Sequence, residues 1–144
     1  TCALPIYDIG FFYHLHGYEF VPDEGGQQTL LDLLMSKTDA RFVSLQLDTY
    51  HVAFPGQDPV ALLNKYPGRF RSLHLKDLRR DAVGDQSGAY REKDEVPIGQ
   101  GKIDWPAVLR ASQAQRIRWY IVEDETPGVW NSVPISLKYL IGDR

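Results

Sequence analysis

Four short apolar runs recur along the chain, each followed by residues at helical spacing, and this alternation limits the folds open to it. The runs are Gly10 to His16, Phe42 to Asp48, Phe70 to Lys76 and Trp119 to Glu123. After the first comes "TLLDLLMS", with Leu30, Leu31, Leu33 and Leu34 on a helical face. After the second, Asp58-Pro59 reads as an N-cap with proline at the first helical position, and Pro67-Gly68 ends that helix. Asp104-Trp105-Pro106 opens another capped helix, and Ser132 or Asn131 is expected to cap a last one through Ser136–Leu140. Strands alternating with helices predict parallel βαβ units, which recur roughly every 30 residues or more. One longer interval, about Leu78 to Ile103, is polar and carries Gly84, Gly88, Gly99 and Gly101. Loops of that length are functional or disordered in compact domains.

With 144 residues the chain has room for one domain, expected to span 1–144, and not for two. Lys and Arg number 16 against 19 Asp and Glu, a net charge of −3, which lacks the basic footprint of a nucleic-acid binder. Cys2 is the one cysteine, so no intrachain disulfide is expected. The apolar runs fall short of the ~20 residues that span a bilayer. A cytoplasmic location is the default, weakened by a chain that starts at Thr1 rather than Met.

Chemistry gathers at the strand ends. Side chains alternate faces along a strand, so Val43, Leu45 and Leu47 oppose Phe42, Ser44, Gln46 and Asp48. Likewise Leu73 and Leu75 oppose Phe70, Ser72, His74 and Lys76. The first run puts His14 and His16 on one face with Glu19 beyond, and the fourth ends in Glu123-Asp124-Glu125. Parallel α/β folds build their sites at such carboxyl ends. His14 reads as a histidine satisfied within the core, and Asp48 reads equally as a turn cap or a functional carboxylate. His51 fits an ordinary loop histidine as well as a pocket residue, and Lys76 fits a snorkelling lysine. His74 has no structural reason to be polar, and Glu123 would need a cationic or hydrogen-bonding partner if buried. Asp77 reads as structural, and Asp124 and Glu125 as rim residues. Gly99-Gln100-Gly101 before a helix has the look of a phosphate loop but lacks the Walker lysine and the dinucleotide fingerprint.

Taken in order, these segments resemble one family. "YHLHGYEF" (Tyr13–Phe20) is similar to the H-x-H-x-x-E-F signature of sugar phosphate isomerases/epimerases, which have a xylose isomerase-like TIM barrel. "LQLDTYH" (Leu45–His51), "GRFRSLHLKD" (Gly68–Asp77), "VPIGQGKIDWPAVL" (Val96–Leu109) and "WYIVEDE" (Trp119–Glu125) resemble its later segments. The family commonly has Asn where this chain has Leu15. The resemblance implies one divalent ion (Mn²⁺, Mg²⁺, Co²⁺ or Zn²⁺) held by Glu19, Asp48, His74 and Glu123. It implies that Glu19 and Glu123 move the proton of a sugar, sugar phosphate or polyol through an enediolate. His16, His51 and Lys76 would line the substrate pocket, and the long loop would be a partial lid.

A complete barrel takes about 250 residues and eight strands. The four βα units here match the C-terminal half of the family's domain, so an incomplete barrel is expected, truncated at its N-terminal side. Its open edges would pair with the missing half or in a homo-oligomer. Alternatives are a dehydratase of the same superfamily, of inosose or dehydroshikimate type, and a non-catalytic half-barrel that binds without turnover. An endonuclease-IV-like phosphodiesterase would need more histidines and a basic face.

Overall fold

The computed structural model describes residues 11–142. Cys2, Gly10 and both ends of the 1–144 span lie outside the described residues. The strands are β1 (Phe12–His14), β2 (Ser44–Asp48), β3 (Phe70–Leu75), β4 (Asp77–Leu78), β5 (Glu95–Val96) and β6 (Trp119–Val122). The helices are α1 (Leu30–Lys37), α2 (Thr49–Ala53), α3 (Pro59–Lys65), α4 (Trp105–Ala114) and α5 (Val129–Ile141). Strands β1, β2, β3 and β6 form one parallel sheet in that order, with β4 and β5 paired antiparallel beside it. This is the expected run of βα units, a partial barrel.

Caps fix where the helices start. Thr29 and Asp32 form a capping box on α1, with Thr29 Oγ1 accepting from the Asp32 amide at 3.1 Å and Asp32 from the Thr29 amide at 3.0 Å. Asp58 accepts from the Val60 amide and Asp104 from the Ala107 amide, each just ahead of a proline-bearing first turn. The last helix departs from expectation: it begins at Val129 after Gly128 and contains Pro134. Ser132 does not cap it, because its hydroxyl is bonded to Asp124 and to the Gly128 carbonyl within the first turn.

One sheet face builds the core. Leu45, Leu47, Leu73 and Leu75 are buried against Leu31 of α1, Leu62 and Leu63 of α3, and Trp105 and Val108 of α4. The other face is the barrel's inner one. Its register sets His14 beside Gln46, Gln46 beside Ser72 and Ser72 beside Trp119. Gln46 donates to Ser72 Oγ at 2.9 Å. Around that pair, Phe12, Trp119 and Ile121 stay 39%, 63% and 42% exposed. Parallel sheets are ordinarily covered on both faces.

The long excursion between β3 and α4 is anchored at both its ends by Asp77. The Asp77 carboxylate accepts from the amides of Leu78, Gly99, Gly101 and Ile103 and from Trp105 Nε1, at 2.8–3.4 Å. A Cβ on Gly101 would stand 2.1 Å from Asp77 Oδ1, so only glycine lets the loop close this tightly. The Gly99 and Gly101 amides therefore serve the protein's own carboxylate and the Gln100 amide donates to the Pro97 carbonyl, so the phosphate-loop reading fails. Among the described residues, no helix is long and apolar enough to cross a membrane.

Candidate functional site

The carboxyl ends of β1, β2 and β3 bring three ligand-type side chains together. His14 Nε2 lies 3.4 Å from Asp48 Oδ2, and His74 Nδ1 lies 3.9 Å from the same oxygen. One ligand atom from each of the three sits within 4.8 Å of the others. The strand pairing causes this, since Asp48 is in register with His74 on the neighbouring strand.

Asp48 is a helix cap through one oxygen and turns the other towards the cluster. Its Oδ1 accepts from the His51 amide at 2.9 Å and caps α2, a helix the sequence pattern did not reveal. Its Oδ2 is buried with no hydrogen-bond partner, and so is His14 Nε2. His14 is thus not the satisfied core histidine expected from sequence.

All four histidines of the chain adjoin. Ring centroids are 4.5 Å apart for His14 and His16, 4.6 Å for His14 and His74, and 5.2 Å for His16 and His51. The Nδ1 atoms of His16 and His51 are also buried without a partner. Burial lowers the His51 pKa, so its ring is neutral near pH 7.

Glu19, expected in this cluster, is not in the group formed by His14, Asp48 and His74. Its carboxylate is buried and turned back on its own turn. It accepts from the Gly17 amide at 2.8 Å, the His16 amide at 3.1 Å and Tyr13 Oη at 3.0 Å. Gly17, at φ 98°, makes the turn that aims these amides at the carboxylate. A Cβ there would stand 2.8 Å from the His51 carbonyl.

Glu123 continues β6, its amide donating to the Leu75 carbonyl at 3.4 Å. Its Oε2 lies 3.0 Å from His74 Nδ1 and 3.0 Å from Lys76 Nζ. The His74 hydrogen bond and the Lys76 charge hold its pKa down at about 2, against burial. Lys76 does not snorkel: it is 1% exposed, 3.6 Å from Glu125, with Nζ 4.7 Å from the centre of the Tyr90 ring. Burial opposes its charge, but Asp48, Glu123 and Glu95 outweigh that and raise its pKa.

Tyr90 and Glu95 were missed by sequence reasoning, because nothing in a polar loop marks which of its residues fold inward. Tyr90 Oη donates to Glu95 Oε2, and the Tyr90 ring packs on Tyr50 at 5.5 Å. Glu95 is buried, and desolvation pushes its pKa up to about 7. Ionising it is therefore harder in the folded chain than in the unfolded one. Stability is fully present below pH 4.5 and falls as pH rises from there through about 7. Glu95→Gln is expected to flatten that slope in urea melts run from pH 4.5 to 8, and an unchanged slope would place the titration elsewhere. Asp124, on the rim as expected, bonds Thr126 and Ser132 and helps start α5.

Ligand-type side chains at the carboxyl ends of adjacent parallel strands define an α/β-barrel site. The model of the xylose isomerase-like TIM barrel family matches residues 16–139, and the chain belongs to that family. It is 32% identical over 117 residues to the inosose dehydratase of Clostridium beijerinckii, covering 75% of this chain and 39% of that one. It is 47% identical over 122 residues to the inosose dehydratase of Clostridium tetani, again covering 75% and 39%. The crystal structure of a sugar phosphate isomerase/epimerase from Parabacteroides distasonis superposes with a TM-score of 0.73 at 27% identity. That match covers 93% of this chain and 46% of the other. The chain thus spans less than half the length of these relatives.

Proposed function

We propose that the site binds one divalent metal ion through His14, Asp48 and His74, with Glu123 as fourth ligand, in a dehydratase acting on a ketone derived from a sugar or polyol. The observation that carries the metal reading is the pair of buried atoms without a hydrogen bond, Asp48 Oδ2 and His14 Nε2, that face each other at 3.4 Å. Two polar atoms are not left buried and unpaired without cost, and a cation between them removes it. Two imidazoles and two carboxylates suit Zn²⁺, Mn²⁺ or Co²⁺ better than Mg²⁺, which prefers oxygen ligands. When bound, such an ion polarises carbonyl and hydroxyl oxygens.

The chain's own groups supply the rest. His51, neutral near pH 7, takes the proton beside the ketone at a ring nitrogen. Lys76 brings a buried ammonium that favours the anion formed as that proton leaves. His16 gives a proton to the departing β-hydroxyl. Two-base epimerisation needs a second carboxylate across the substrate, and the bonds that occupy Glu19 argue against it in that role. The names of the two clostridial relatives support dehydration. The name of the solved neighbour keeps isomerisation as the second reading.

The test follows a keto-inositol with Mn²⁺ in D₂O. Loss of water with a new conjugated absorbance is the expected result. An epimer carrying solvent deuterium would replace dehydration by isomerisation. Absence of metal binding in a folded sample would sink both.

A further inference from the structure

We infer that Glu95 selects the substrate by charge: held near Lys76 by Tyr90, its carboxylate accepts a substrate hydroxyl and turns away a substrate that carries phosphate or carboxylate there. This rests on the reading of the site given above and adds which substituents that wall of it accepts.

The fold does not account for the burial of Glu95 as it does for the other acids of the same excursion. Asp77 gathers amides from both ends of the loop, and Asp94 pairs with Arg79 at 3.0 Å. Glu95 is 8% exposed. Its Oε2 takes the Tyr90 hydroxyl and, at 3.4 Å, the Glu125 amide. Among the described residues the Glu95 carboxylate caps no helix, pairs with no arginine and leaves Oε1 without a hydrogen bond. Lys76 does not require it as a counterion, having Glu123 at 3.0 Å and Glu125 at 3.6 Å. One oxygen is thus fixed and the other is free to accept a ligand's hydrogen.

Charge gives that oxygen a task. Set Asp48 and Glu123 against a divalent ion and Glu125 against Lys76, and the charge of Glu95 is left over. Arg79 and Arg91, on the same excursion, do not offset it. Arg79 pairs with Asp81 and Asp94, and Arg91 pairs with Asp85 and lies over the Phe54 ring. A second anion brought against a buried carboxylate is repelled far more than it would be in water. A hydroxyl instead donates to the free oxygen in a charge-assisted bond. Tyr90 keeps the carboxylate from swinging away, and its own ring is set between Lys76 Nζ, 4.7 Å from the ring centre, and the ring of Tyr50.

The experiment titrates two ring ketones, a keto-inositol and dehydroshikimate, into the Mn²⁺-loaded chain by calorimetry at pH 8. There Glu95, whose pKa burial pushes up to about 7, is charged. The parent is expected to prefer the uncharged ketone. Glu95→Gln keeps the shape and one acceptor but removes the charge, and should narrow that preference by about tenfold or more, chiefly by tightening the anion. Tyr90→Phe keeps the charge and releases the carboxylate, so it should weaken keto-inositol binding and leave dehydroshikimate excluded. Equal shifts for both ketones in Glu95→Gln, or none, would mark a structural role and overturn the inference, with the dehydratase reading intact. So would a parent that prefers dehydroshikimate. A folded, metal-loaded parent that binds neither ketone would remove both readings together.

Discussion

Replacing His14 with alanine is expected to abolish divalent-metal binding, whereas Glu19→Gln leaves binding in place and weakens the fold. His14 Nε2 is one of the two buried atoms that face each other without a hydrogen bond. Removing it deletes a ligand, and the fall in affinity should exceed the roughly 10–100-fold typical of residues that merely support ligands. Both Glu19 oxygens are taken by the His16 and Gly17 amides and by Tyr13 Oη. In Glu19→Gln, an NH₂ group would face those donors, costing about 1–3 kcal/mol. For a chain this size that lowers the melting temperature by several degrees, at about 2–4 °C per kcal/mol. Calorimetric titration with Mn²⁺ and Zn²⁺ beside thermal melts separates the two effects. The opposite pattern, with binding lost in Glu19→Gln and kept in His14→Ala, would restore Glu19 as a ligand.

Asp77→Ala is expected to be among the most destabilising single substitutions in the chain. The buried carboxylate collects the amides of Leu78, Gly99, Gly101 and Ile103 and the Trp105 indole. Alanine leaves these donors without the acceptor they share. Each unsatisfied buried group costs about 1–3 kcal/mol, so a total loss above ~3 kcal/mol is expected in urea unfolding. Asp77→Asn keeps one acceptor oxygen and should fall between. Proteolysis should cut the variant first within residues 79–94, the stretch that the carboxylate helps tie down. A variant as stable as the parent would show that β4, β5 and the Lys102 amide bond to Leu78 hold the excursion unaided.

The order of strands and helices was legible in sequence because apolar runs and Asp-Pro or Asp-Trp-Pro caps are local signals. The site was legible in part. Strand alternation placed Asp48, His74 and Lys76 on the inner face, and register then brought Asp48 to His74. It does not say whether a given nitrogen finds a partner, so by sequence alone His14 reads as a core residue. The bonds of Glu19 were hidden in sequence for a related reason. A glutamate two or three residues after a turn can reach back to its amides, and Gly17 supplies the conformation for it. The inward reach of Tyr90 and Glu95 depends on pairings across many residues, anchored at Asp77, and no local pattern carries that.

The division of labour within Asp48 has a consequence for how the site is prepared. One oxygen is committed to the first turn of α2, so the side chain's rotamer is settled when that helix forms. The other oxygen is then aimed without further loss of torsional freedom, and an arriving cation need not freeze it. Preorganisation here is inherited from a helix start, and the helix that sets the ligand is the one that carries His51. A perturbation that frays α2 would therefore loosen together the oxygen proposed to bind the metal and the ring proposed to take the proton.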